Sequence, residues 1–261
     1  MHLEHNRAVC ASLVIGLAMG LAVPPDADAS YWIEDFEQPT YTPGNIVGQD
    51  QWDTDANPGL REIVTGGTNG HPDAATGNQM MMLQTTGSTA TRAHRQWSPT
   101  QITDPFQIEV SLAYDNAGSN GISGFVYIQN AVGFNGVIFG FWEGNFAGRD
   151  GNDWTTIDTN GVTPTAGTFY RFVVDIRPAD MTWDLTIYDD QDQVLGSASN
   201  FASRNSVNQF SWIRPYLSDP SGPEARLYVD GISIIPEPAS LALFSIGGLL
   251  FLRRRARTRV F

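Results

Sequence analysis

Along the chain, Phe106, Ile108, Val110, Leu112 and Tyr114 alternate with Gln107, Glu109, Ser111 and Ala113. A period of two marks a strand with one buried face, because successive side chains leave opposite sides of a sheet. The pattern returns at Phe172, Val174 and Ile176, then at Met181, Trp183, Leu185 and Ile187. A short Arg177-Pro178-Ala179-Asp180 turn joins those two runs, so Tyr170 to Asp189 predicts an antiparallel hairpin. Further strands are expected over Trp32 to Glu37, Gln79 to Gln84, Gly124 to Gln129, Val137 to Glu143, Phe210 to Leu217 and Leu227 to Ile234. No stretch of the body carries a capped 3.6-residue pattern, and Gly and Pro punctuate the gaps. Residues 30–235, 206 in all, therefore predict one all-β domain, an antiparallel β-sandwich with no internal linker.

The two ends follow a different pattern. Arg7, an apolar run from Ala8 to Val23, Pro24-Pro25 and then Ala27-Asp28-Ala29 before Ser30 give the layout of a secretory signal peptide. A signal helix over residues 1–29, used by the Sec machinery and cut after Ala29 by signal peptidase, is the expectation. At the other end, an apolar run from Ala239 to Leu252 is closed by Arg253, Arg254, Arg255, Arg257 and Arg259. As a helix it spans about 21 Å, short of the roughly 30 Å hydrocarbon core, and arginines beyond such a run stay on the cytoplasmic side. Both ends place the body outside the inner membrane.

Charge separates the same three parts. The whole chain is at −13, but the body holds nine arginines against 24 acidic groups, a net charge of −15. All 15 basic residues are Arg, and five of them crowd the tail, so no basic patch argues for nucleic acid as a partner. Such acidity suits divalent cations or neutral sugars better than acidic polymers, unless calcium bridges them. The one cysteine, Cys10, leaves with the leader and excludes both an internal disulfide and a Cys-based zinc site.

The tail resembles a known family. Pro236-Glu237-Pro238, an apolar helix with the Gly247-Gly248 pair, and the terminal cluster of Arg253, Arg254 and Arg255 look like the PEP-CTERM sorting tail of Gram-negative bacteria that make exopolysaccharide. The likeness covers residues 236–261. It implies exosortase as the processing partner, transient anchoring in the inner membrane by the C-terminal helix, and a final place on the cell surface or outside the cell. Phe36-Glu37, the segment Tyr41-Thr42-Pro43-Gly44, Gly48 to Trp52, and Leu227 to Ile234 are similar to the opening and closing strands of concanavalin A-like jelly-roll domains. That resemblance implies the same sandwich as the strand count.

Candidate chemistry is sparse. A glycosidase on such a fold needs two carboxylates about 5 to 5.5 Å apart, and Glu34, Asp35 and Glu37 have the wrong spacing to share a strand face. No G-x-S-x-G is present. A non-catalytic protein is therefore expected, with a carbohydrate-active hydrolase or lyase as a weaker alternative. Asp53, Asp55 and Asn57 place oxygen ligands at alternate positions, a weak calcium candidate in which Pro58 replaces the turn glycine and Val64 the closing Glu. Most of the seven tryptophans belong in the core, Trp183 and Trp212 among them. The run from Phe141 to Trp154 differs, because aromatic, Arg, Asp and Asn residues share a Gly-rich connection. Trp142, Arg149, Asp150, Asn152 and Trp154 are the candidate glycan-binding residues, since a flat aromatic face beside polar groups suits a sugar ring. The sequence supports an exported surface or matrix protein with lectin-like binding of extracellular polysaccharide, or a structural envelope or biofilm component with no glycan site.

Overall fold

The computed structural model describes residues 32–54, 59–87, 89–98, 100–115, 121–218 and 224–236. The expected signal peptide, with Ala27, Ala29 and Ser30, and the tail beyond Pro236 lie outside the described residues. Among the described residues, no helix is long and apolar enough to cross a membrane.

Two antiparallel sheets form the body. The larger has nine strands and runs from β14 (Val194–Ala202) through β13 (Thr182–Tyr188), β12 (Tyr170–Arg177), β7 (Phe106–Asp115), β16 (Arg226–Pro236), β4 (Gln79–Gln84) and β3 (Leu60–Thr65) to β2 (Gly44–Asn45), with β1 (Trp32–Glu34) on β16. The smaller runs from β11 (Asp153–Thr156) through β10 (Asn145–Asp150), β9 (Asn135–Trp142), β8 (Gly124–Gln129) and β15 (Trp212–Leu217) to β5 (Thr91–Arg92), with β6 (Arg95–Gln96) also on β15. A single 3₁₀ turn at Arg204–Ser206 is the helical content among the described residues.

The period-two runs explain the packing. Phe106, Ile108, Val110 and Leu112 of β7 face inward with Phe172, Val174 and Ile176 of β12 and Trp183, Leu185 and Ile187 of β13. From the smaller sheet, Val126, Ile128, Val137, Phe139 and Phe141 join the same core. Phe172 meets Phe139 and Phe141 across the interface, with ring centroids 5.8 and 5.6 Å apart. Removing side chains of this size from water is the main favourable term, about 1.5–3 kcal/mol each before the entropy of ordering the chain is set against it. Gly148 of β10 permits the close approach of the sheets, since a Cβ there would fall 2.5 Å from the Phe201 ring and 2.8 Å from Trp183.

The elements that carry no alternation are those the sequence did not announce. The edge strand β14 reads Val-Leu-Gly-Ser-Ala-Ser-Asn-Phe-Ala, and only Phe201 of it is buried. It forms because β13 offers a free edge, not because of its own pattern.

The outward face of the larger sheet is covered near its middle. Val64, Met80, Met82, Ala113 and Tyr228 form a second apolar cluster there. The 66–78 connection folds over it: His71 Nδ1 lies 3.1 Å from the Tyr228 hydroxyl, and Thr76 donates its N–H to Asp230 Oδ2 at 2.7 Å and its hydroxyl to Oδ1 at 3.2 Å. Asp230 is fully buried, and burial pushes its carboxyl up to about 7 despite these bonds and one from the Gly231 N–H. An unfolded chain holds the same group near 3.9, so its contribution to stability is complete below about pH 4 and is lost as pH rises through 7. Unfolding free energy from urea melts is expected to fall by roughly 2–4 kcal/mol over that window on account of this residue, and Asp230→Asn should remove that component of the slope. Equal slopes for the two proteins would contradict it.

A buried ionic knot fastens β1 and the 36–52 segment to β6. Arg95 Nη1 contacts Glu34 Oε2, lies 2.6 Å from Asp50 Oδ2 and donates to the Tyr41 hydroxyl at 3.1 Å. Tyr41 in turn donates to Glu34 Oε2 at 2.5 Å and accepts from Trp52 Nε1 at 3.0 Å. Burial raises the Glu34 carboxyl above its ordinary value, opposed by the Tyr41 and Phe36 hydrogen bonds and by the Arg95 charge. The guanidinium also lies over Trp32, 4.7 Å from the ring centroid.

Candidate functional site

The outward face of the smaller sheet is built in rows. Antiparallel pairing sets Tyr216 opposite Phe125 and Arg92, Arg214 opposite Tyr127, and Trp212 opposite Gln129 and Gln96. Directly paired residues share a face, and their neighbours Ile213 and Leu217 belong to the core, so all of these side chains leave on the outer side. Farther along, Trp142 pairs with Asn145 and Arg149 with Trp154, on that same side.

Small residues give the aromatics room. Between Thr156 and Phe125, the outward positions of β10 and β9 are Ala147 and Gly140. Gly140 has φ +142, and a Cβ there would stand 2.4 Å from the Gly124 carbonyl. Trp154 reaches across this floor to bring its ring centroid within 4.6 Å of Phe125. It stacks on Trp142 at 4.7 Å and 12°, while the Arg149 guanidinium sits 5.3 Å from its own centroid. Phe125 also stacks with Tyr216, which meets Tyr127 edge-on at 5.3 Å. His94 and Trp212, 5.4 Å apart, extend the array to the far side of the sheet. Phe125 is buried beneath its neighbours, whereas Trp142, Trp154, Tyr127, Tyr216, Trp212 and Arg149 are half-exposed.

Electrostatics fit this crowding. The Tyr127 hydroxyl is pushed up to about 12, chiefly by burial and then by Tyr216, while Arg204, Arg149 and Arg214 pull it the other way. Arg149 is lowered by burial and by the neighbouring Arg204 charge. Arg214 pairs with Tyr127 across β15 and β8, and the charges of Arg204 and Arg149 also reach that phenol.

The candidate residues divide. Trp142, Arg149 and Trp154 come together on the aromatic face. Asp150 does not: it pairs with Asp153 on the opposite side of the hairpin, and its Oδ1 accepts the Ala202 N–H at 2.7 Å. Asn152 sits in the β10–β11 turn, where its carbonyl accepts from Arg149 Nε and Nη2 at 3.0 and 2.6 Å. The expected Gly-rich connection is in fact three strands joined by two tight turns, because Glu143 and Gly144, with φ of 49° and 76°, supply the left-handed pair that a two-residue hairpin requires. Trp212 also departs from expectation, since it lies on the outer side of β15 and is half-exposed rather than in the core. The sequence reading missed Phe125, Tyr127 and Tyr216, although their alternation with Val126, Ile128, Pro215 and Leu217 was available to show a second face lined with aromatics.

Asp53 pairs with His94 at the edge of this sheet, while Asp55 and Asn57 lie outside the described residues. Among the described residues no cluster of three or more His, Cys, Asp or Glu is placed to hold a metal ion. Pro236 ends β16 opposite Phe106, and Glu237, Pro238, Arg253, Arg254 and Arg255 lie outside the described residues.

The fold is shared with a solved sialidase. That chain aligns at a TM-score of 0.55 and 12% identity over 80% of this chain and 19% of its own, so the present chain spans about one fifth of the sialidase's length. An arabinose-bound α-L-arabinofuranosidase aligns at 0.46 and 10% identity, over 80% and 27% of the two chains. Lectin II from Ulex europaeus aligns at 0.45 and 12% identity, over 79% and 98%. No family model and no curated protein matches the sequence. At 12% identity the first likeness establishes a two-sheet antiparallel architecture and leaves activity to the site itself.

Proposed function

We propose that this is an exported, non-catalytic polysaccharide-binding protein, delivered by its leader, sorted by exosortase through the Pro236-Glu237-Pro238 tail and held at the cell surface or in the extracellular matrix. The observation that carries the reading is the outward aromatic array of the smaller sheet, in which Trp142, Trp154, Tyr127, Tyr216 and Trp212 stay half-exposed across adjacent strands. Isolated surface aromatics are ordinary, but a contiguous sheet face of them beside Arg and Gln side chains has the apolar plane and polar rim that a sugar chain needs. No two carboxylates confront each other on this face among the described residues, which favours binding over hydrolysis.

A structural envelope role is the second reading, supported by the internal bonds of Asp150 and Arg149. The two readings separate in affinity electrophoresis of the 30–235 body through gels containing a panel of neutral and charged polysaccharides. Retardation by at least one polymer, lost on Trp142→Ala/Trp154→Ala, is the expected result. Unchanged mobility in every gel by a folded body would leave the structural role.

A further inference from the structure

The strands of each sheet carry four of the body's nine arginines, but the acidic residues around them differ. On the outward face of the larger sheet, Arg177 pairs with Asp184 at 2.8 Å, Arg171 with Asp192 at 2.9 Å and Glu109 at 3.4 Å, and Arg226 with Asp115 at 3.4 Å. The smaller sheet is different. Strands β5, β6, β8, β9 and β15 contain no Asp or Glu, the two acidic residues of β10 and β11, Asp150 and Asp153, pair with each other on the side away from Arg149 and Trp154, and Asp53, bridged to His94, stands at the edge of the face. Arg92, Arg149 and Arg214 nevertheless leave from this face, with Arg204 beside them from the turn at Arg204–Ser206.

A chain at −13 has thus gathered Arg92, Arg149, Arg204 and Arg214 about its aromatic sheet face. Arg149 gives its Nε and Nη2 donors to a backbone carbonyl, which fixes the guanidinium against Trp154 without neutralising it. The Nε of Arg204 is buried without a hydrogen-bond partner among the described residues. Clustering like charges beside half-buried rings costs stability, and an anion returns that cost when it binds. Arginine also matches the planar carboxylate through paired N–H donors, and its own plane lies flat on an aromatic ring.

The geometry points to a polysaccharide that carries repeated carboxylates, a polyuronate, as the occupant of the outward face of the smaller sheet. This rests on the polysaccharide-binding reading and narrows it. Arg149 on β10 and Arg214 on β15 are three strand spacings apart, about 14 Å, with Arg92 one strand farther on. A linear acidic polymer laid across the strands would meet these cations in succession while its rings rest on Trp154, Tyr216 and Trp212. The net acidity of the body argues for neutral sugars only if its charge is averaged; locally the sign is reversed.

The test compares polygalacturonate with its fully methyl-esterified form, which keeps the backbone and removes the charge, using the 30–235 body in affinity electrophoresis and isothermal titration. Dextran, dextran sulfate and single-stranded poly-dT are the remaining probes. The expected result is at least tenfold tighter binding to polygalacturonate than to the ester. Affinity should fall about tenfold between 50 and 500 mM NaCl, and Arg149→Gln/Arg214→Gln should remove the preference while leaving the melting temperature within a few degrees. Equal binding of acid and ester, or binding of dextran alone, would overturn the polyuronate assignment and leave the polysaccharide reading standing. Tighter binding to dextran sulfate or poly-dT would overturn it in favour of general polyanion attraction or a nucleic-acid surface. No binding to any polysaccharide would remove both readings.

Discussion

Replacing Arg95 with Ala is expected to lower the unfolding free energy by about 3–5 kcal/mol at pH 7, the largest single-residue effect in this protein outside its core. Glu34 is 4% exposed, and its carboxyl touches the Arg95 guanidinium. Without the guanidinium, an ionised carboxylate is left in the interior beside Asp50, with the Tyr41 hydroxyl and the Phe36 N–H as its remaining donors. The loss should shrink on acidification toward pH 4, because the stranded carboxyl can then protonate. The double variant Arg95→Met/Glu34→Gln should recover part of the stability, since the penalty comes from the unpaired charge more than from the lost attraction. Urea denaturation at pH 7 and pH 4.5 measures all three. A loss below about 1 kcal/mol for Arg95→Ala would mean that water reaches the knot and the pair counts as a surface bridge.

Trp154→Ala is expected to weaken polysaccharide binding more than tenfold, at least about 1.4 kcal/mol, and more than Trp142→Ala does. The asymmetry follows from position. Trp154 touches Phe125, supports Trp142 and is capped by Arg149, so its removal deletes one plane of the site and loosens two other members. Trp142 shares the stack but lies farther from Phe125, with 5.8 Å between the ring centroids. Both rings are half-exposed, so truncation should change the melting temperature little compared with Trp183→Ala, where a fully buried ring is lost at about 3–5 kcal/mol. Titrations followed by tryptophan fluorescence separate the two variants. Equal, undiminished binding by Trp154→Ala would place the ligand elsewhere on the fold.

How far the sequence could be read depends on which forces act locally. Strands β4 and β8 were expected with their observed boundaries, and β7, β12 and β13 within a residue or so, because each has a long core-facing stripe. Strands β3, β10 and β14 were not expected. The small and polar residues of β10 and β14 have no strong preference, and the apolar residues of β3 are too few to alternate, so all three become strands by completing the hydrogen bonding of a neighbour.

The site shows the same division. Trp142, Arg149 and Trp154 were legible because aromatics and Arg cluster between turn residues over a dozen positions. Their partners Phe125, Tyr127, Tyr216 and Arg214 lie on strands distant in the chain, and only the β8–β9 and β8–β15 pairings bring them alongside. The aromatic content of β8 was visible, but whether Phe125 and Tyr127 faced the core or the outside depended on which side of β8 the larger sheet covers.

By itself the sequence determined an all-β body and a body charge of −15, since alternation and composition are properties of the chain read in order. It also supplied the reason to expect two transport signals. The tertiary structure decided which face of each sheet is buried, and with it that arginines from four separate segments share one aromatic surface, with Asp53 at its edge beside His94. Sheet pairing fixes those neighbours through backbone hydrogen bonds between distant segments, and no local pattern encodes which segments will meet.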